Sequence, residues 1–272
     1  MFNSKFCTNS LKAEGLIKIK NFLDADQLKK VSSIILKNRF KKGSKESYFA
    51  IDYRTLFLKI LNFRVDSFNE SLTVLKIYNS LKLKSMSKEY FGCDTKLNMI
   101  DGYYNSANDN KDKPIIPWHT DQAYSGSELK YIKNFVNPND YTLKFFIYLT
   151  DIYKDNGCMS YIPGSHKVTY LIRKGIYEEE LDYAPYWSIN QLVNFISLEK
   201  NRNYILKNLD EKNSLDKFIS NINKIKNNNH EFDYSLQAGD AIIFNEGLVH
   251  RGSKLLYSDR MILRFHFKPI ID

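Results

Sequence analysis

Apolar and polar positions change period along this chain at about Lys96, and the change predicts its layout. Upstream, Leu16, Ile17, Lys18, Ile19 and Lys20 alternate apolar and basic side chains, which predicts a short strand within Gly15 to Phe22. Asp24 stands three residues before Gln27, as in a variant capping box, and Leu28, Val31 and Ile35 follow at helical spacing. A helix from about Ala25 to Arg39 is expected. Lys41 to Ser47 reads as an exposed loop, and Leu56 to Phe63 and Ser71 to Phe91 as two more helices. Gly92 ends the second of these where a left-handed C-cap belongs.

Downstream of Lys96 the pattern turns strand-like. Leu97, Met99, Tyr103 and Tyr104 fit a strand, and Asn105 to Lys113 a polar loop. Leu143 to Leu149 is an apolar run of strand length; Asp155-Asn156-Gly157 is a turn signal leading into Cys158 to Ile162, and Pro163-Gly164-Ser165 closes a hairpin-like unit. Phe232 to Leu236, Ala241 to Phe244 and Met261 to Phe267 are three further strand candidates. Between them Leu192, Phe195 and Ile196, then Leu215, Phe218, Ile219 and Ile222, return to helical spacing with a polar opposite face. This predicts a helical insertion at about residues 168–230, either a solvated cover for the core or a lid over a substrate mouth. Helices first and strands afterwards give an α+β chain in which helices cover an antiparallel sheet or barrel. One domain over residues 1–272 is expected, since this length suffices for one well-buried core.

Composition changes this picture little. Hydrophobic residues at 43% and charged residues at 26% argue against disorder, and 14% aromatics suit a sheet-rich interior. The net charge of +9 is spread along the chain, as at Lys29-Lys30, Lys41-Lys42, Lys224 and Lys226. A nucleic-acid footprint would cluster on one face, so a small-molecule partner is favoured over nucleic acid. Cys7, Cys93 and Cys158 lack C-x-x-C spacing and imply neither a disulfide framework nor a zinc knuckle. With no signal-like N-terminus and no apolar run near the ~20 residues of a membrane span, a cytoplasmic protein is expected.

The candidate chemistry centres on Pro117-Trp118-His119-Thr120-Asp121-Gln122. In an extended segment His119 and Asp121 would project to one side and could grip one metal ion. A third ligand, His250, follows the apolar run Ala241 to Phe244. Two imidazoles and one carboxylate leave a metal face open, the arrangement suited to non-haem Fe(II) and molecular oxygen. An H-x-D pair alone is common by chance, so the downstream histidine matters. Arg260 opens the next strand and could fork onto a carboxylate. His166 reads as a structural loop residue, His230 as exposed, His266 as a satisfied interior histidine and Asp240 as a turn residue. For Arg251, Gln122 and Tyr124, beside the ligands, substrate and packing roles stand equal.

On these residues the chain resembles the phytanoyl-CoA dioxygenase family of Fe(II)/2-oxoglutarate-dependent oxygenases. The resemblance rests on Trp118 to Gln122, on Asp155-Asn156-Gly157-Cys158 running into Ile162-Pro163-Gly164-Ser165-His166-Lys167, on Ala238-Gly239-Asp240 before Phe244, and on His250 followed by Arg260. Glu14-Gly15-Leu16 and Phe22-Leu23-Asp24 also look like the family's start. It implies a double-stranded β-helix, a cupin-like jelly-roll barrel flanked by helices, with His119, Asp121 and His250 as iron ligands. Arg260 would bind the distal carboxylate of the 2-oxoglutarate co-substrate, with Arg264, four residues along the same strand face, as the alternative. Asn98, Thr120, Phe146 and Ser253 fall at or near positions lining the co-substrate pocket in relatives, although Thr120 departs from the glutamine often found there. Asp121 stands where halogenating relatives carry a small residue, which argues against a halogenase. The implied reaction hydroxylates a small molecule and releases succinate and carbon dioxide, with desaturation or ring closure as variants. Rival readings are a cupin-like metalloenzyme that does not use 2-oxoglutarate, a non-catalytic binding protein on the same barrel, and an oxygenase acting on a protein or nucleic acid.

Overall fold

The Asp24 carboxylate accepts the Gln27 backbone N–H at 2.8 Å while Gln27 Oε1 accepts that of Asp24 at 3.2 Å, closing the expected capping box. It starts α2 (Ala25–Asn38), which follows α1 (Ser4–Glu14) and β1 (Leu16–Ile19). The structure is a computed structural model and describes residues 4–38, 47–51, 65–109, 112, 114–121, 123, 138–154, 156–211 and 213–271. The expected helix at Leu56 to Phe63, most of the loop at Lys41 to Ser47, and Gln122, Tyr124 and Asp155 lie outside the described residues.

The helix expected over Ser71 to Phe91 is two helices, α3 (Val65–Ser80) and α4 (Leu83–Phe91). Lys82 separates them in a left-handed conformation at φ 53°, a break that neither glycine nor proline announces. Gly92 caps α4 as expected, at φ 70° with its N–H on the Lys88 carbonyl.

Two antiparallel sheets form the body. The larger orders β1, β8 (Ala241–Asn245), β5 (Leu143–Tyr148), β10 (Arg260–Pro269), β3 (Thr95–Asn105) and β2 (Ser47–Ile51); the smaller orders β4 (Ile116–His119), β9 (His250–Gly252), β6 (Met159–Tyr161) and β7 (Asp233–Tyr234). Both faces of the larger sheet are covered, so its central strands carry apolar residues on both sides rather than in clean alternation, interrupted by Lys144, Arg264 and His266. Phe145, Ile147, Ile243, Leu263 and Phe265 pack outward with Leu11, Val31, Val74 and Leu83 of α1 to α4. Phe146, Tyr148, Ile242, Phe244 and Ile262 pack inward against Cys158, Met159 and Tyr161 of the smaller sheet side. The site lies between the two sheets.

The expected hairpin-like unit is corrected in its pairing. β5 is already flanked by β8 and β10, so β6 cannot pair with it and pairs with β9 and β7 instead. The turn, with Gly157 at φ 74°, therefore carries the chain from one sheet to the other. Between β6 and β7 lie four helices, α5 (Ser165–Tyr177), α6 (Ile189–Ser197), α7 (Glu199–Asn208) and α8 (Ser214–Asn227). Val168, Ile172, Leu192, Phe195, Leu215 and Phe218 give them a core of their own, closed onto Ile162 and Val249. Ser188 caps α6 in a box with Gln191 and bridges the backbone of His119, so this layer touches the strand of the metal pair. No helix among the described residues is long and apolar enough to cross a membrane.

His166 donates Nε2–H to the Lys12 carbonyl at 3.1 Å, and its Nδ1 lies against Gly15, where a Cβ would come within 2.4 Å. Burial pushes its pKa down to about 4 from 6.5, against the raising effect of the Lys12 carbonyl. The unfolded chain thus takes up this proton below pH 6.5 while the folded chain stays neutral. Stability is expected to fall by about 3 kcal/mol between pH 6.5 and pH 4 on this account. Urea unfolding across that range checks it, and His166→Gln should flatten the slope.

Candidate metal centre

The register that pairs β4 with β9 sets His119 opposite His250, and their rings lie 4.3 Å apart between centroids. The Nδ1 atoms face backbone carbonyls, Pro117 O at 2.7 Å and Leu248 O at 2.8 Å, so both can donate there. That tautomer leaves the two Nε2 lone pairs for a metal. Strand alternation does not deliver Asp121, as expected from sequence, because β4 ends at His119; the turn that follows brings the carboxylate back. Its Oδ1 lies 3.4 Å from His119 Nε2 and its Oδ2 3.4 Å from His250 Nε2. One ligand atom from each residue falls within 4.8 Å of the others, which suits a single metal ion.

The electrostatics suit the same use. Burial works to raise the Asp121 pKa, but Lys144, His250 and His119 hold it well below the usual carboxylate range. Burial lowers His250 to about 4, outweighing the pull of Asp121, so its imidazole is neutral at pH 7. A carboxylate and neutral imidazoles are the protonation states that bind metal.

The triad opens onto a cavity of about 180 Å³ lined by both sheets, including Phe146, Met159 and Ile262 as apolar wall and Lys144, Arg260 and Arg264 as cations. Arg264 is engaged: its Nε and Nη2 fork onto Asp101 at 2.6 and 2.5 Å, and its guanidinium lies over Tyr103 and Phe146. Arg260 has neutral partners only among the described residues, Asn105 Oδ1 from Nε and Nη2 at 3.2 and 2.9 Å and the Gly157 carbonyl from Nη1 at 3.1 Å. The two shift oppositely, Arg260 lowered by burial and Arg264 raised, because Asp101 outweighs burial there. A larger cleft of about 570 Å³ lies away from the triad between α1, α4 and α5, and its Lys167 and Lys174 already face Glu211 and Glu178.

A family model described as phytanoyl-CoA dioxygenase (PhyH) matches residues 11–255. The chain belongs to the phytanoyl-CoA dioxygenase family. Among curated proteins none matches the sequence. Among solved structures, HygX from Streptomyces hygroscopicus with nickel and 2-oxoglutarate bound is 13% identical, with 100% of this chain and 88% of that one covered and a TM-score of 0.57. SnoN, a non-heme alpha ketoglutarate dependent epimerase from nogalamycin biosynthesis, is 12% identical over 98% of this chain and 80% of its own, with a TM-score of 0.55. The carbocyclase SnoK from the same biosynthesis is 14% identical over 97% and 83%, with a TM-score of 0.50. At these identities the likeness is one of fold, a mixed architecture of helices and antiparallel sheets.

The phytanoyl-CoA dioxygenase motifs occupy distinct parts of this frame. Pro163-Gly164-Ser165-His166 opens α5, and Asp240 is the turn residue expected, accepting the N–H groups of Asn21 at 2.9 Å and Gln237 at 3.1 Å. Of the pocket residues expected from the resemblance, Phe146 lines the cavity and three do not. Asn98 is exposed at the irregularity where His266 pairs with Met99 and Phe267 with Leu97, so it has no opposite partner. Thr120 is buried with its hydroxyl on the Gly247 carbonyl at 3.0 Å. Ser253 lies against Cys158 and lines a separate cleft with Trp118 and Lys254. Arg251 also faces away from the metal side, bonded to Ser160 and Asp233 beneath Trp118. His230 is partly exposed and paired with Asp233, as expected of a surface histidine. His266 is interior as expected but not satisfied, since its Nε2 is buried without a hydrogen-bond partner among the described residues. Sequence reasoning missed Lys144, Asp101, Tyr103 and Asn105. For Lys144 a signal existed: it interrupts an apolar strand on the face shared by Phe146 and Tyr148.

Proposed function

We propose that the protein is an Fe(II)- and 2-oxoglutarate-dependent oxygenase acting on a small molecule, with hydroxylation as its reaction and a jelly-roll barrel in one domain as its frame. The observation that carries this reading is Arg260, a buried guanidinium that has no acidic partner among the described residues, on the wall of the cavity that holds the triad. Burying a cation is costly without a counter-charge, and Arg260 would gain one from the far carboxylate of a dicarboxylate held at the triad. Tyr148 and Tyr161 bury their hydroxyls beside each other and within the field of Arg260, which adds polar atoms to this wall.

In this reading His119 and His250 bind iron through Nε2 and Asp121 through its carboxylate, while Pro117 and Leu248 carbonyls keep both rings in register. Iron with 2-oxoglutarate supplies oxygen activation coupled to decarboxylation of the co-substrate to succinate and carbon dioxide. Arg260 orients the co-substrate, and Phe146, Met159 and Ile262 keep water from the reacting face. The epimerase and carbocyclase among the similar folds support the chemistry while leaving room for products other than alcohols.

The test is an anaerobic titration of purified protein with Fe(II) and then 2-oxoglutarate, followed through the visible charge-transfer band of the chelate. The band should form in the wild type, and succinate release should then report substrates. A folded, iron-loaded wild type without the band sinks the 2-oxoglutarate reading and favours a metalloenzyme using the triad alone.

A further inference from the structure

Lys144 is the least expected side chain in the site. It comes from β5, the middle of the larger sheet, and crosses the interior to the triad carried by the smaller one. Its side chain is only 12% exposed, and its register partners are Phe244 on β8 and His266 on β10, neither of them an acid. Burying an ammonium among such neighbours costs several kcal/mol unless a carboxylate meets it. The carboxylate that meets it is Asp121, whose Oδ2 accepts from Lys144 Nζ at 2.6 Å.

The two oxygens of Asp121 are therefore not equivalent. Each lies 3.4 Å from one histidine, Oδ1 from His119 Nε2 and Oδ2 from His250 Nε2, but among the described residues only Oδ2 is engaged by a charge-assisted hydrogen bond from a lysine. We propose that Lys144 is a positioning residue that holds Oδ2, so that Asp121 offers the metal Oδ1 alone. An ammonium has three donors and no acceptor, so it satisfies Oδ2 without itself becoming a ligand. Its charge also makes a second metal–oxygen bond at Oδ2 unfavourable, because the ion would have to approach a like charge. A carboxylate gripping through both oxygens would occupy a position that the open face of the metal needs for co-substrate and oxygen. The inference rests on the metal reading of the triad, but not on the identity of the co-substrate.

Full-length apoprotein is titrated anaerobically with Co(II), whose visible d–d absorption reports coordination number, in the wild type, Lys144→Met and Lys144→Gln. Lys144→Met is expected to keep Co(II) affinity within about ten-fold while its d–d bands weaken and shift as a second oxygen binds. Lys144→Gln retains a donor and should lie between. 2-Oxoglutarate is then added to the Co(II) forms, and its affinity is expected to be at least about ten-fold weaker in Lys144→Met. Spectra of both variants superimposable on the wild type overturn the proposal. So does a folded Lys144→Met protein that binds no Co(II), since Lys144 would then support the whole site rather than one oxygen. If Lys144→Met does not fold, Lys144→Gln decides by the same spectrum. A wild type that binds Co(II) without 2-oxoglutarate removes the co-substrate reading and leaves the spectral comparison intact.

Discussion

His250→Ala is expected to abolish turnover and to weaken divalent metal binding by a hundred-fold or more. Each ligand of a protein metal site carries on the order of 3 kcal/mol of the binding free energy, which corresponds to roughly that factor. The loss should exceed this simple share, because His250 sits directly opposite His119 and its Nε2 faces Asp121. Without it, two donors remain and the open face widens to four positions. The variant also removes a buried ring that packs on Phe244 and stacks on Tyr161, together with its Nδ1 contact to Leu248 O. About 2–4 kcal/mol of stability should go with them. Urea unfolding of the metal-free protein measures that term, and Co(II) titration of the folded variant measures the other. Unchanged affinity in a folded His250→Ala protein would remove His250 from the ligand set.

That histidine was legible in the sequence because its signal is one of type and order: an H-x-D pair, then a histidine after an apolar strand. The surroundings were not, because they depend on which strands become neighbours. Lys144 meets Asp121 across 23 residues of chain and Arg264 meets Asp101 across 163, separations that only sheet order resolves. The same cause lies behind the hairpin-like unit, where the turn signal at Asn156-Gly157 announced a reversal and could not name the strand that β6 would pair with. Asn98 is misplaced for a local reason, one extra residue on β3 against β10 that leaves it without an opposite residue on β10. Lys82 broke the long helix in a left-handed conformation that no glycine marked. Element type was thus read from periodicity, while partner choice came from topology.

The two arginines of β10 show what partner choice decides. Both face the cavity, four residues apart, and composition cannot rank them. Arg260→Met is expected to weaken 2-oxoglutarate binding by about 2–5 kcal/mol, from tens to thousands of fold, since it leaves the distal carboxylate buried without its counter-charge. In the metal-free protein the same variant should be neutral or somewhat more stable, because it removes a buried cation whose partners among the described residues are neutral: Asn105, the Gly157 carbonyl and the Met159 sulfur. Arg264→Met should do the reverse. It strands Asp101, whose side chain is fully buried, and should destabilise the fold by about 3–5 kcal/mol with a smaller effect on co-substrate affinity. Burial already raises the Asp101 pKa against the pull of Arg264, so without that arginine the carboxyl would take up a proton rather than stay charged. Isothermal titration of the iron-loaded protein with 2-oxoglutarate under argon, beside urea unfolding of each metal-free variant, separates the two roles. If instead Arg264→Met loses the co-substrate and Arg260→Met keeps it, the dicarboxylate binds four residues further along the strand, and Asp101 must give up its arginine to receive it.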